Sequence, residues 1–194
     1  MRRTKEEAMQ TRGDVLNAAV EIIARQGPSA FTLDAVARAA GITKGGVLHH
    51  FPCKEALING LVESVMDEFK NRLTRELDTE PVGQNGRWLR AYLRTIFAAD
   101  YSNKNLIPAL AAALAADQSI LDRIRGSYAE SQAAAEGDGI DPVQATIMRL
   151  AIDGIVFSRA LNIDVLAPSM GEEVYAALVT LSQRDLRSGP EPAI

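Results

Sequence analysis

The chain has 194 residues, 47% hydrophobic and 24% charged, with one cysteine and a formal net charge of −4. That length holds one sizeable core or a small head with a larger body. A single cysteine excludes an internal disulfide framework and fits a reducing cytosol. Residues 1–54 hold 8 Lys/Arg against 5 Asp/Glu, a balance of +3, whereas the other 140 hold 13 against 20, a balance of −7. A basic head on an acidic body fits an anionic partner for the head alone, although scattered surface charge gives the same sums. The opening MRRTKEEAMQ lacks the apolar run of a signal peptide. The most apolar segment, 147–161, is interrupted by Arg149, Asp153, Ser158 and Arg159, which suits no membrane span. The expectation is a soluble, cytoplasmic protein.

Helical spacing dominates, and turn-bounded β-branched alternation is missing. Val15, Leu16, Ala19, Ile22 and Ile23 predict a first helix from about residue 7 or 11 to 26, ended by Gly27-Pro28. Thr32 offers an N-cap before Leu33, Val36, Ala37 and Ala40, and Gly41 ends that short helix. Thr43 opens another, closed by Pro52. Leu57, Leu61, Val65, Phe69, Leu73 and Leu77 recur every four residues and predict a long helix over 54–77. A loop over 79–86 precedes predicted helices at 87–100, 103–116 and 119–135. Asp141 and Pro142 cap and open a helix over 143–162. Ser169 and Glu172 have capping-box spacing for a last helix to about 187, and 188–194 reads as a disordered tail. The fold class is therefore all-α: a three-helix head, then a helical bundle, about nine helices in all.

Residues 32–51 place small and apolar side chains where a helix-turn-helix needs them. Ala37 permits close helix approach, Gly41 permits the turn, and Ile42, Val47 and Phe51 fill the wedge. Lys44, Gly45, Gly46, Leu48 and His49 are left on the outer side, on a helix sized for the DNA major groove. An ordinary αα-hairpin has the same spacing. No metal is expected. His49 and His50, the chain's two histidines, point about 100° apart on a helix, and Cys53 lies beyond Pro52. A site needs three or four ligands. No catalytic residue, cofactor or phosphate-binding glycine loop is expected either, and the chain does not read as an enzyme.

The stretch FTLDAVARAAGITKGGVLHHFPCKEAL, behind an N-terminal helix, resembles the DNA-binding head of TetR/AcrR-type repressors. The match runs in order through Thr32, Val36, Ala37, Ala40, Gly41, Lys44, Gly45, His49, His50, Phe51, Pro52, Lys54, Glu55, Ala56 and Leu57. The resemblance covers about the first 60 residues. It implies that Thr32 and Thr43 hydrogen-bond phosphates, that Lys44 and His49 approach base edges, and that His50 and Lys54 hold the backbone. Two residues depart from the family's habit: Gly46 replaces a frequent threonine and Leu48 a frequent tyrosine. Basic residues at the start (Arg2, Arg3, Lys5 and Arg12) suit phosphate or minor-groove contacts, or simply a solvated tail.

The resemblance further implies a DNA-binding domain at 1–53 and a ligand-binding and dimerisation domain at 54–187. Candidates to line a pocket for a small, mostly apolar effector are Met66, Phe69, Trp88, Tyr92, Phe97, Tyr101, Tyr128, Met148 and Phe157. Each equally fits a helix core. Asp153 and Arg159 interrupt the most apolar helix, where a buried charge needs a partner. Pairing with each other or across helices, and recognition of a polar ligand group, are open to them. Six residues apart, they do not share one helical face, and interface or solvent positions are favoured. Ile147, Leu150, Ile155, Val174, Leu178 and Leu181 supply more apolar area than one bundle needs and form the expected homodimer surface. The resulting expectation is a one-component repressor, released by its effector from a roughly palindromic double-stranded operator. The alternative is a helical ligand carrier or protein-interaction module without a DNA role.

Overall fold

The computed structural model describes residues 5–98, 118–160, 163 and 166–184. These residues form α1 (Lys5–Gln26), a 3₁₀ turn (Pro28–Ala30), α2 (Leu33–Ala39), α3 (Lys44–His50), α4 (Lys54–Thr79), α5 (Arg87–Ala98), α6 (Gln118–Glu136), α7 (Pro142–Ala160) and α8 (Pro168–Gln183). No strand occurs among them. The helix expected at 103–116 and the tail at 188–194 lie outside the described residues. Two compact units share the chain. One holds α1 to α3, α4 as far as Glu68 and α6 as far as Asp122; the other holds the remainder of α4 and α6 with α5, α7 and α8.

In the first unit, Val15, Leu16, Ala19, Ile22 and Ile23 of α1 are buried together with Phe31, Val36, Ala37, Val47, Phe51, Leu57 and Leu61. α1 packs on α2, and α2 on α3. Both predicted threonine caps form. Thr32 Oγ1 accepts the Ala35 N–H at 3.1 Å, and Thr43 Oγ1 accepts the Gly46 N–H at 3.1 Å. Each satisfies a donor that the first helical turn leaves unpaired. Gly41, with φ 67°, makes the turn between α2 and α3 in the left-handed region. Cys53 is exposed, and its Sγ accepts the Ala56 N–H at 3.4 Å, in the manner of a weak cap for α4.

In the second unit, Leu89, Tyr92, Leu93 and Ile96 of α5 meet Ala145, Met148 and Ile152 of α7 and Leu178 of α8 in one buried cluster. Here the caps come from acidic side chains. Asp141 Oδ1 accepts the Val143 and Gln144 N–H groups at the start of α7. Asp138, 50 residues from its partner, accepts the Trp88 N–H at 2.7 Å and the Leu89 N–H at 2.8 Å. The capping box expected at Ser169 and Glu172 does not form. α8 begins at Pro168, behind Ala167, which has no capping side chain. Proline's fixed φ and missing N–H open the helix two residues earlier, with Ala167 in place of Ser169 as N-cap, which puts Ser169 inside it.

The loop at 80–86 is tied down by three arginines of α5. Arg87 donates to the Leu77 and Glu80 carbonyls at the end of α4. Arg90 donates to Glu80 Oε2 at 2.8 Å and to the Asn85 carbonyl at 2.9 Å. Arg94 donates to Glu76 Oε2 at 2.8 Å and also pairs with Glu80. Burial pushes the Glu80 carboxyl up, but its bonds to Arg90 and Arg94 prevail and hold it below its ordinary value of 4.5. A depressed carboxylate contributes stability above its unfolded pKa and loses it as pH falls through the folded value. Glu80→Gln should therefore lower stability by roughly 1–3 kcal/mol near pH 7. The gap from the parent chain should narrow below about pH 4. Urea denaturation at both pH values checks this; a pH-independent gap contradicts it.

Candidate nucleic-acid interface

α3 has one side buried in the head and the other exposed. Val47 is fully buried and anchors it, while Lys44, Gly45, Leu48 and His49 are exposed and His50 is half-buried. Period 3.6 alone produces this split, because positions 44, 45, 48 and 49 fall on one side of a helix. Lys44 Nζ is 2.8 Å from Asp34 Oδ2 of α2, with each side chain about half exposed. Such a surface pair is worth about 0–1 kcal/mol and yields readily to a stronger anion. The His49 and His50 rings meet edge to face, 5.3 Å between centroids. Lys54 Nζ lies 5.2 Å from the centre of the Phe31 ring, and Thr32 and Thr43 are exposed at their caps. Among the described residues, no three His, Cys, Asp or Glu side chains are grouped to hold a metal ion.

The two adjacent glycines are not demanded by packing. A Cβ added at Gly45 would meet only Thr43 Oγ1, at 3.9 Å. One added at Gly46 would rest in ordinary contact with Ile42 and Thr43, at 3.4 Å or more. Gly60 differs, since a Cβ there would lie 2.6 Å from Phe51 Cε1. That glycine lets α4 pass close to the Phe51 ring.

The body candidates separate by burial. Phe69, Trp88 and Tyr92 form one aromatic group: Phe69 sets its edge on Tyr92 at 5.7 Å, and Trp88 stacks on Tyr92 at 4.8 Å. Met148 is buried, Met66 half-buried, and Tyr128 and Phe157 are exposed. Tyr101 lies outside the described residues. Phe97 pairs with Tyr175 at 5.1 Å. Those two rings line a recess of about 400 Å³ with Leu166, Ala167, Pro168, Gly171 and Glu172. Of the residues expected at a dimer surface, Ile147, Leu150 and Leu181 are exposed, Val174 is half-buried, and Ile155 and Leu178 are buried within the chain.

Asp153 overturns its expected interface or solvent position. Its carboxylate is buried, 2.6 Å from Arg149 Nη1, and accepts the Tyr92 hydroxyl. Arg149 also donates through Nε to Gln132 Oε1 at 2.7 Å. Arg149 lies four residues before Asp153 on the same helix, at helical spacing. Tyr92 reaches Asp153 from α5, the across-helix pairing that the sequence left open. Burial pushes the Asp153 carboxyl up, against the opposing Tyr92 hydrogen bond and Arg149 charge. Burial first, then the Asp153 carboxylate, pushes the Tyr92 hydroxyl well above its ordinary value. The side chain of Arg159 lies outside the description.

Two short helices joined by a tight glycine turn, the second anchored by buried Val47 and exposed on its outer side, have the form of a helix-turn-helix. The sequence profile described as "Bacterial regulatory proteins, tetR family" matches residues 15–61. The profile "Tetracyclin repressor-like, C-terminal domain" matches residues 86–183. The chain belongs to the tetR family of bacterial regulatory proteins. It is 36% identical over 80 residues to the HTH-type transcriptional regulator TtgR of Pseudomonas putida, covering 41% of this chain and 38% of TtgR. It is 39% identical over 62 residues to the HTH-type transcriptional regulator AcrR of Shigella flexneri, covering 32% of this chain and 29% of AcrR. The chain thus spans well under half the length of these curated relatives. The fold is shared with a solved structure from Pseudomonas aeruginosa PAO1 at TM-score 0.72 and 23% identity, covering 96% and 94% of the two chains. It is also shared with SmeT, solved as a triclosan complex, at TM-score 0.64 and 18% identity, covering 95% and 99%.

Proposed function

We propose that the chain is a one-component DNA-binding transcriptional regulator, a repressor released by a small, largely apolar effector. The observation that carries this is the α3 face. Lys44, Leu48 and His49 project from a helix pinned by buried Val47, in a head whose first 54 residues carry a balance of +3. Lys44 and His49 approach base edges. Thr32, Thr43, His50 and Lys54 hold phosphates, and Gly45 and Gly46 let the backbone come near the duplex. Residues 1–53 form this DNA-binding domain and residues 54–187 the effector and dimerisation domain, in the cytoplasm.

Support for the effector comes from the aromatic side chains of the body and from SmeT, whose structure holds triclosan. Support for a homodimer comes from an apolar stripe on α7. Val143, Ile147 and Leu150 are 67%, 61% and 55% exposed, and Gly154 and Phe157 continue the same spacing of three and four. A stripe of this period is a helix-packing seam, and two heads on one dimer suit a roughly palindromic operator. The α4 helix, continuous from Lys54 to Thr79, links the two functions. Effector acts through its different affinities for the two states, with about 1–3 kcal/mol of coupling.

Selection from random duplexes followed by gel shift tests the reading. Binding should weaken with salt, by close to one unit of log–log slope per phosphate neutralised. Lys44→Ala and His49→Ala should each weaken it roughly 5–100-fold. A helical carrier or interaction module without a DNA role would enrich no sequence and tolerate both changes.

A further inference from the structure

The outer side of α3 is chemically divided. Lys44 has its charge met by Asp34 at 2.8 Å. Gly45 offers no side chain, and its open surroundings leave clear the ground one turn before Leu48. Leu48 is the apolar side chain on this face, 37% exposed, while its neighbour Val47 is fully buried. A partly exposed leucine with no neighbour at i−3 can approach a flat surface without being shielded. In the major groove the one apolar group that distinguishes a base is the thymine methyl. We propose that Leu48 is a specificity-determining residue that reads the operator by packing against a thymine methyl. The proposal rests on the DNA-binding reading above. Such a contact discriminates by burying a single methyl group, without a hydrogen bond and without adding to the salt dependence.

The test starts from a duplex selected with the full chain. Each thymine in it is replaced in turn by deoxyuridine, which removes one methyl and changes nothing else on the base. For the parent chain, one such replacement in each half-site should weaken binding about fourfold, the value of one buried methyl group. Leu48→Ala should bind the thymine and deoxyuridine duplexes equally. Leu48→Gln, which keeps a helix-forming side chain of similar reach, should do the same. A parent chain indifferent to every replacement overturns the proposal, as does retained methyl sensitivity in both variants. A selection that enriches no sequence overturns the DNA-binding reading along with it; enrichment combined with methyl indifference overturns only the role of Leu48.

Discussion

Asp153→Ala is expected to lower the stability of the folded chain by about 3–5 kcal/mol, the loss that follows when one member of a buried ion pair is removed. Arg149 would keep its bond to Gln132 and its place over the Tyr128 ring, 5.8 Å from the ring centre, but no anion, where both side chains of the pair are more than nine-tenths buried. The Tyr92 hydroxyl would lose its acceptor too. Most of the effect is the uncompensated cation rather than the lost attraction. The double change Arg149→Met with Asp153→Leu should therefore recover most of the loss, because apolar side chains of similar volume often replace a buried pair at little net expense. Urea denaturation at fixed protein concentration measures both. A single-variant loss below about 1 kcal/mol would show that water reaches the pair and screens it.

Gly86→Ala should be nearly as damaging, by about 2–5 kcal/mol, through two separate terms. The residue has φ 72°, a conformation in which any L side chain is strained. Its Cβ would also lie 2.0 Å from the Ser182 carbonyl oxygen and 2.9 Å from that carbonyl carbon. Backbone cannot rotate aside as a side chain can, so α5 and α8 would have to separate. The Gly86 N–H also donates to the Asp138 carbonyl at 2.7 Å, which ties the same point to the turn between α6 and α7. Gly83→Ala is the control: it shares the positive φ of 82° but meets nothing within 4 Å. It should cost only the conformational term, about 1–2 kcal/mol. Equal losses at the two positions would remove the packing argument.

The all-helical class was legible because helical spacing and caps are local properties. Thr32, Thr43 and Asp141 each cap the helix that begins next to them, so the pattern and its cause sit within four residues. The hydrophobic stripe of α1 and the wedge of Ile42, Val47 and Phe51 are read the same way. The Ser169 capping box failed for a local reason as well, since the neighbouring proline was the stronger start signal. The arginines of α5 stayed hidden. Arg87, Arg90 and Arg94 look like an ordinary polar face, and only the return of the chain end of α4 shows that they close a loop.

Among the described residues, the sequence by itself therefore determined the helices, the helix-turn-helix head and the side of α3 that faces outward, because period and capping depend on near neighbours alone. Tertiary structure alone decided which charges are buried and which apolar side chains are left uncovered. Asp138 caps a helix 50 residues away, and Asp153 meets Tyr92 at a separation of 61. Ile155 and Ile147 belong to one apolar run, yet one is 9% exposed and the other 61%. Composition cannot tell such residues apart. The difference arises only when another helix arrives to cover one side and not the other.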